Sequence, residues 1–190
     1  MKATLETLRR EGFAGTSARA IARTGDFNQA LIYYHFGSIE GLLGAALQDF
    51  SERRLVRYRE ALAAVDTLAD LIETMQDLYQ EDRRGGEVSA VQEIVAGSSS
   101  SQALGRRVVE LLDPWGGFAE EIVSRLLHGT PFEAVLPAKE IAYVLVALFF
   151  GVETLGHLDP ERAKTEALFE AGTRLAPLFD MLLKAGMQAP

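Results

Sequence analysis

The chain has 190 residues, 48% of them hydrophobic and 24% charged, and a formal net charge of −8. That is the composition of a folded globular protein, and it excludes a disordered polyelectrolyte. There is no cysteine, which excludes a disulfide framework, a thiolate zinc site, an iron–sulfur cluster and a cysteine nucleophile. The charge is unevenly spread. Residues 1–59 hold nine Lys and Arg against six Asp and Glu, and the remainder holds ten against twenty-one. A basic head could approach a polyanion that the acidic body would repel. The first residues carry no apolar signal core, so a cytoplasmic location is expected. No apolar run reaches the roughly 20 residues of a bilayer span. The longest, Ile141 to Val152, reads as a buried helix, and no membrane partner is expected.

Apolar side chains recur at three- and four-residue spacing, without period-2 runs or Asn-Gly and Asp-Gly turns. This predicts an all-α chain of about nine helices. The first runs over about Ala3–Arg10, with Leu5 and Leu8 inward, and stops at Gly12; Phe13 packs beneath the head. Thr16 or Ser17 caps a second helix through Thr24, and Gly25-Asp26-Phe27 turns the chain. Asn28 caps a short third helix through His35, and Ser38 caps a long fourth reaching about Ala64. A fifth spans Thr67–Asp82, ended by Arg83-Arg84-Gly85-Gly86, and a sixth spans Glu87–Ala96. Gly97 to Ser101 reads as a linker. Gln102–His128 is helical but broken at Asp113-Pro114, and Gly129-Thr130-Pro131 closes it. Two apolar helices, about Pro137–Gly156 and Pro160–Ala185, end the chain, each with proline in its first turn.

Residues 13–43 carry the functional signal. Two short helices about a tight turn make a helix-turn-helix. Ala22 is the small residue at the crossing, Gly25-Asp26 tolerates the turn, and Ile21, Phe27, Ile32 and Phe36 are expected to lock the second helix. The opposite face then shows Asn28, Gln29, Tyr33, Tyr34 and His35. Amides read base edges in a major groove, and phenols reach phosphates. Ser17 and Arg19 open the preceding helix, where they would reach phosphate.

The runs Thr16-Ser17-Ala18-Arg19-Ala20-Ile21-Ala22, Phe27-Asn28-Gln29-Ala30-Leu31-Ile32-Tyr33-Tyr34-His35-Phe36-Gly37-Ser38 and Glu40-Gly41-Leu42-Leu43 resemble the TetR family of transcriptional regulators. The resemblance is gapless over roughly residues 1–50. It implies a three-helix DNA-binding head over 1–45 and a larger helical effector-binding and dimerisation body over 46–190. Thr16, Ser17, Arg19, Asn28, Gln29, Ala30, Tyr33, Tyr34, His35 and Ser38 are the implied DNA contacts. The family usually has Gly where Asp26 stands. It often has a phosphate-binding Lys where Ile39 stands, so one backbone anchor is in question. Gln29 stands where Lys is common, which favours base reading.

The resemblance also implies an effector pocket among the middle helices. Met75, Tyr79, Trp115, Phe118, Tyr143 and Phe150 are candidates, with Gln92 or Glu93 as a polar group; for any one of them taken singly, ordinary core is the better reading. Mostly apolar candidates suggest an apolar or aromatic effector. Ile141, Leu145, Leu148, Val152, Leu168, Leu175, Phe179 and Leu182 on the last two helices read either as intrachain core or as a two-fold homodimer interface. The expected partners are thus an operator in double-stranded DNA, a second copy and a small effector. The expected function is a repressor that a ligand releases from a palindrome. The alternative is a helical small-molecule or protein-interaction module that has lost DNA binding. An enzyme is not expected. His35, His128 and His157 are scattered, Glu120-Glu121 point apart on one helix, and no Gly-rich phosphate loop is present. No metal or cofactor is expected.

Overall fold

The structure, a computed structural model, describes residues 1–159 and 163–186. Among the described residues there are ten helices and no strand. They are α1 (Lys2–Gly15), α2 (Ala18–Gly25), α3 (Ala30–Phe36), α4 (Ile39–Ala61), α5 (Leu68–Gly85), α6 (Glu87–Ser98), α7 (Gln102–Glu110), α8 (Asp113–Leu127), α9 (Ala138–Leu158) and α10 (Ala163–Gly186). The nine expected elements are present, with the expected interruption dividing one of them into α7 and α8. Pro114 does not kink a helix. It stands in the first turn of α8, where its missing N–H is no loss. The expected start of the last helix at Pro160 lies outside the described residues.

α1 continues past the expected stop at Gly12 to Gly15, α4 ends at Ala61 and not at Ala64, and two further boundaries differ from expectation for local reasons. Arg83 and Arg84 continue α5, and the break falls at Gly86, whose φ is 71°. Gly97 and Ser98 are not a linker but the end of α6. There the hydroxyls of Ser98, Ser99 and Ser100 donate to the carbonyls of Val95, Ala96 and Gly97. These back-bonds satisfy carbonyls that a helix end leaves without partners.

Packing divides the chain into two compact units. The first comprises residues 1–56 and 81–112. Its core joins Leu5 and Leu8 of α1 to Leu43, Ala46, Leu47 and Phe50 of α4, to Ala90, Val91 and Ile94 of α6, and to Leu104 of α7. A second cluster holds Ala18 and Ile21 of α2, Ile32 of α3 and Leu42 of α4. Ile39 packs against both clusters. Gly12, at φ 66° and ψ 178°, kinks α1. Beyond the kink the Phe13 N–H donates to Glu93 Oε2 at 2.8 Å, and the Phe13 ring lies against Gly97 of α6. Arg54 and Asp82 form an ion pair of 2.6 Å, with both side chains at least nine-tenths buried.

The second unit comprises residues 57–80 and 113–190. Its interior is aromatic. Trp115 meets Tyr58 edge-to-face at 5.2 Å, Tyr58 meets Phe149 at 6.2 Å, Phe149 meets Tyr79 at 6.5 Å, and Tyr79 meets Phe169 at 5.4 Å. Asp180 of α10 accepts hydrogen bonds from the Leu68 and Ala69 N–H groups, capping α5. α9 is 21 residues long and contains an 18-residue window with a mean hydropathy of 1.8, long and apolar enough to cross a membrane by length and composition. The expectation of a buried helix fails, since only 22% of that apolar window is buried. Tyr143, Val144, Leu145, Leu148, Leu155 and Leu158 are exposed on α9, as are Leu168, Leu175, Leu178, Phe179, Met181 and Leu182 on α10.

Candidate nucleic-acid interface

The head is held by small residues and caps. Ser17 has extended backbone and its Oγ accepts from the Ala20 N–H at 3.1 Å, starting α2. α2 ends at Asp26, in the left-handed conformation at φ 53° and ψ 51°. Thus Asp26, and not Gly25, takes the positive φ of the turn. Asn28 Oδ1 accepts from the Ala30 N–H at 2.9 Å and starts α3. Gly37 at φ 74° ends α3, and Ser38 Oγ accepts from the Gly41 N–H at 3.0 Å to start α4. A Cβ on Gly41 would lie 2.2 Å from the Phe36 carbonyl oxygen, so this close approach of α3 to α4 requires glycine.

Ile32 is the side chain that seats α3, only 2% exposed among Ala18, Ile21 and Leu42. Phe27 does not join this lock as expected. It is exposed, with its ring over Gly25 and beside Ala3. The reason is reach: the left-handed Asp26 turns the chain outward, and Leu42 and Ile39 fill the inner space instead. Ile39, at the position where the family often has a phosphate-binding lysine, is a packing residue.

With Ile32 inward and Phe36 half-buried against the same cluster, as expected of it, the other side chains of α3 face water. Asn28, Gln29 and Ala30 are exposed, Tyr33 is 54% exposed and Tyr34 is 82% exposed. His35 is exposed and meets Tyr34 edge-to-face at 4.9 Å. Arg19 and Ser17 are exposed at the start of α2. An open recess of about 610 Å³ runs along Arg19, Ala22, Arg23, Asp26, Phe27, Asn28 and Gln29. So Ser17, Arg19, Asn28, Gln29, Ala30, Tyr33, Tyr34 and His35 all lie at the surface of α2 and α3.

Two expected contacts are more committed. Thr16 Oγ1 donates to the Gly12 carbonyl at 2.7 Å, tying the hydroxyl to the kink of α1. Ser38 is half-buried and capping. Caps use the oxygen of Ser17, Ser38 and Asn28, and leave an O–H or N–H₂ as a donor for phosphate. Arg23 pairs with Glu11 at 2.7 Å, so part of the head's positive charge is already matched. Sequence reasoning passed over Arg23, Phe27 and Leu31 as surface residues. The helical period about Ile32 would have placed Leu31 outward.

The other candidates separate by unit. Gln92 and Glu93 belong to the first. Gln92 is buried there, and Glu93 holds Phe13. Met75, Tyr79, Trp115, Phe118, Tyr143 and Phe150 belong to the second. Tyr79 and Trp115 enter the aromatic interior, joined by Tyr58, Phe149 and Phe169, which sequence reasoning did not single out. Phe118 is buried with the Arg59 guanidinium 4.9 Å from its ring centroid. Met75 and Phe150 are half-buried, whereas Tyr143 stands on the outer face of α9, 76% exposed. Of the interface candidates, Leu145, Leu148, Leu168, Leu175, Phe179 and Leu182 are exposed and Ile141 is half-buried, but Val152 is buried in its own unit. Of the two adjacent carboxylates on α8, Glu121 pairs with Arg59 at 2.6 Å, and that guanidinium holds it below the usual carboxylate range.

Residues 1–46 match the family described as bacterial regulatory proteins, tetR family. The regulator UidR of Escherichia coli K12 is 29% identical over 177 residues, covering 92% of this chain and 87% of that protein. A TetR-family transcriptional regulator from Rhodococcus sp. superposes with a TM-score of 0.72 at 18% identity, over 92% of this chain and 95% of the other. FadR from Bacillus subtilis, in complex with stearoyl-CoA, gives 0.68 at 16%, over 92% and 94%.

Proposed function

Since the chain belongs to the TetR family of transcriptional regulators, a DNA-binding and ligand-responsive class, we propose that it is a repressor. In this reading it binds a near-palindromic operator as a homodimer, and a small, mostly apolar ligand releases it. One observation carries the proposal: α3 is seated by Ile32 while Gln29, Tyr33, Tyr34 and His35 all face outward. An outward face of amide, phenol and imidazole has the donors and acceptors that base edges and phosphates require.

The functional division falls at residues 45/46, a DNA-binding head and an effector-binding and dimerising body. A second copy is the occupant favoured for the apolar face of α9 and α10. That face is one-sided and shared by two helices, and Glu153 and Gly156 are buried on the other side of α9. Pairing two such helices from each copy makes a four-helix interface. A dimer also serves recognition, because one seven-residue α3 reads too few bases for high specificity. The aromatic run from Trp115 to Phe169 suits an apolar effector, and the stearoyl-CoA on FadR lends that class support. The ligand acts by binding one arrangement of the dimer more tightly than another. The protein works in the cytoplasm and carries out no catalysis.

The test is selection of bound DNA from a random pool, followed by affinity measurement with a Gln29→Ala, Tyr34→Ala variant. A recovered palindrome, and a loss of at least tenfold in the variant, are expected. Binding equal to the parent would remove α3 as the reading element.

A further inference from the structure

The reading face is not uniformly polar. Leu31 is 47% exposed in the first turn of α3, and its neighbours Ala30 and Phe27 are exposed as well. A single exposed leucine needs no explanation on an ordinary surface. Here its position is the unusual feature. Leu31 follows Gln29 by two residues and shares a helical stripe with Tyr34 and His35 at spacings of three and four. A duplex that accepts Tyr34 and His35 therefore meets Leu31 as well.

The major groove offers such a side chain few partners. Its edges are nitrogen and oxygen donors and acceptors, with one substantial apolar group, the C5-methyl of thymine. Pressed on a guanine O6 or a cytosine amino group, Leu31 would strip water from a polar atom and return no hydrogen bond. Pressed on a thymine methyl, it buries apolar surface on both sides. The amide of Gln29 complements this, since a bidentate amide pairs with adenine N6 and N7. Charge adds little selectivity, because Arg23 is paired with Glu11 and Asp26 lies in the same recess as Arg19.

We infer that Leu31 is a specificity-determining residue that reads the C5-methyl group of a thymine in each half-site. This rests on the operator-binding reading above, and the experiment separates the two. The operator recovered by selection is resynthesised with each thymine replaced in turn by deoxyuridine, which removes only the methyl. At one thymine per half-site the replacement should weaken binding roughly fourfold, and roughly 15-fold when made in both half-sites. Leu31→Ala, at an exposed position that leaves the fold intact, should bind with the parent's weakened affinity and be indifferent to the same replacement. If the parent binds its operator and every deoxyuridine probe stays within twofold, the inference falls and the regulator reading stands. If the methyl dependence persists in Leu31→Ala, another residue reads it and the inference likewise falls. A parent protein that binds no DNA overturns both.

Discussion

Gly97→Ala tests the joint between α1 and α6. A Cβ on Gly97 would stand 2.3 Å from Cγ, Cδ1 and Cδ2 of Phe13, where ordinary contact begins at 3.4 Å. The ring must recede by about 1.1 Å. Rotation about χ2 cannot achieve this, because Cγ lies on that axis. Either χ1 leaves its well or the helices part, and parting pulls the Phe13 N–H from Glu93 Oε2, now 2.8 Å away. Overpacking of this kind costs about 1–3 kcal/mol. Replacing glycine by alanine inside a helix returns up to about 1 kcal/mol. With the full return, a net loss of up to about 2 kcal/mol is expected, or up to about 8 °C in Tm for a chain of this size. Urea and thermal unfolding measure it. In a Phe13→Ala background the same substitution should turn stabilising, as only the propensity gain remains. The reasoning fails if Gly97→Ala stabilises the parent, for then the ring does not rest on the glycine.

Asp26→Gly should stabilise by about 0.5–1 kcal/mol, since Asp26 holds a left-handed conformation that glycine adopts without a Cβ penalty; a lower Tm would contradict this. Leu148→Glu tests the apolar face. A symmetric interface loses the contact twice, about 3 kcal/mol or more together, which is over 100-fold in dimer dissociation. Sedimentation equilibrium should show a folded monomer with weakened operator binding, and an unchanged oligomeric state would refute the proposed interface.

The head was legible because its demands are local. Ser17, Asn28 and Ser38 cap where their type and position say they should. Ile32 alternates with an outward polar set on a helix too short to drift in phase. The turn was legible only in part. Both Gly25 and Asp26 suit a positive φ; Asp26 takes it, and the turn that results lays Phe27 over Gly25, outside the expected lock. Glu93 illustrates a different limit. A carboxylate in an apolar stretch looks like a ligand group from sequence, and its partner is a backbone N–H eighty positions away. Nothing in the local pattern of α6 announces that distant donor.

The body was harder because an apolar stripe does not state what covers it. Ile141 to Val152 reads the same whether its cover is another helix of the chain or a second copy. On α9 the structure sorts the two by residue. Ala142, Val152, Glu153 and Gly156 are buried, whereas Tyr143, Leu145, Leu148 and Leu155 face water. Glu153 is among the buried residues while these four large apolar side chains are not, so hydrophobicity alone ranks these positions in the wrong order. Ala142 and Gly156 are small enough for close helix packing, and α8 packs against α9 within the second unit. The large side chains left over are those that the proposed two-fold interface would cover. Tyr143, one of the expected pocket residues, belongs with this outer set, so its loss should be felt in the oligomeric state before it is felt in effector binding.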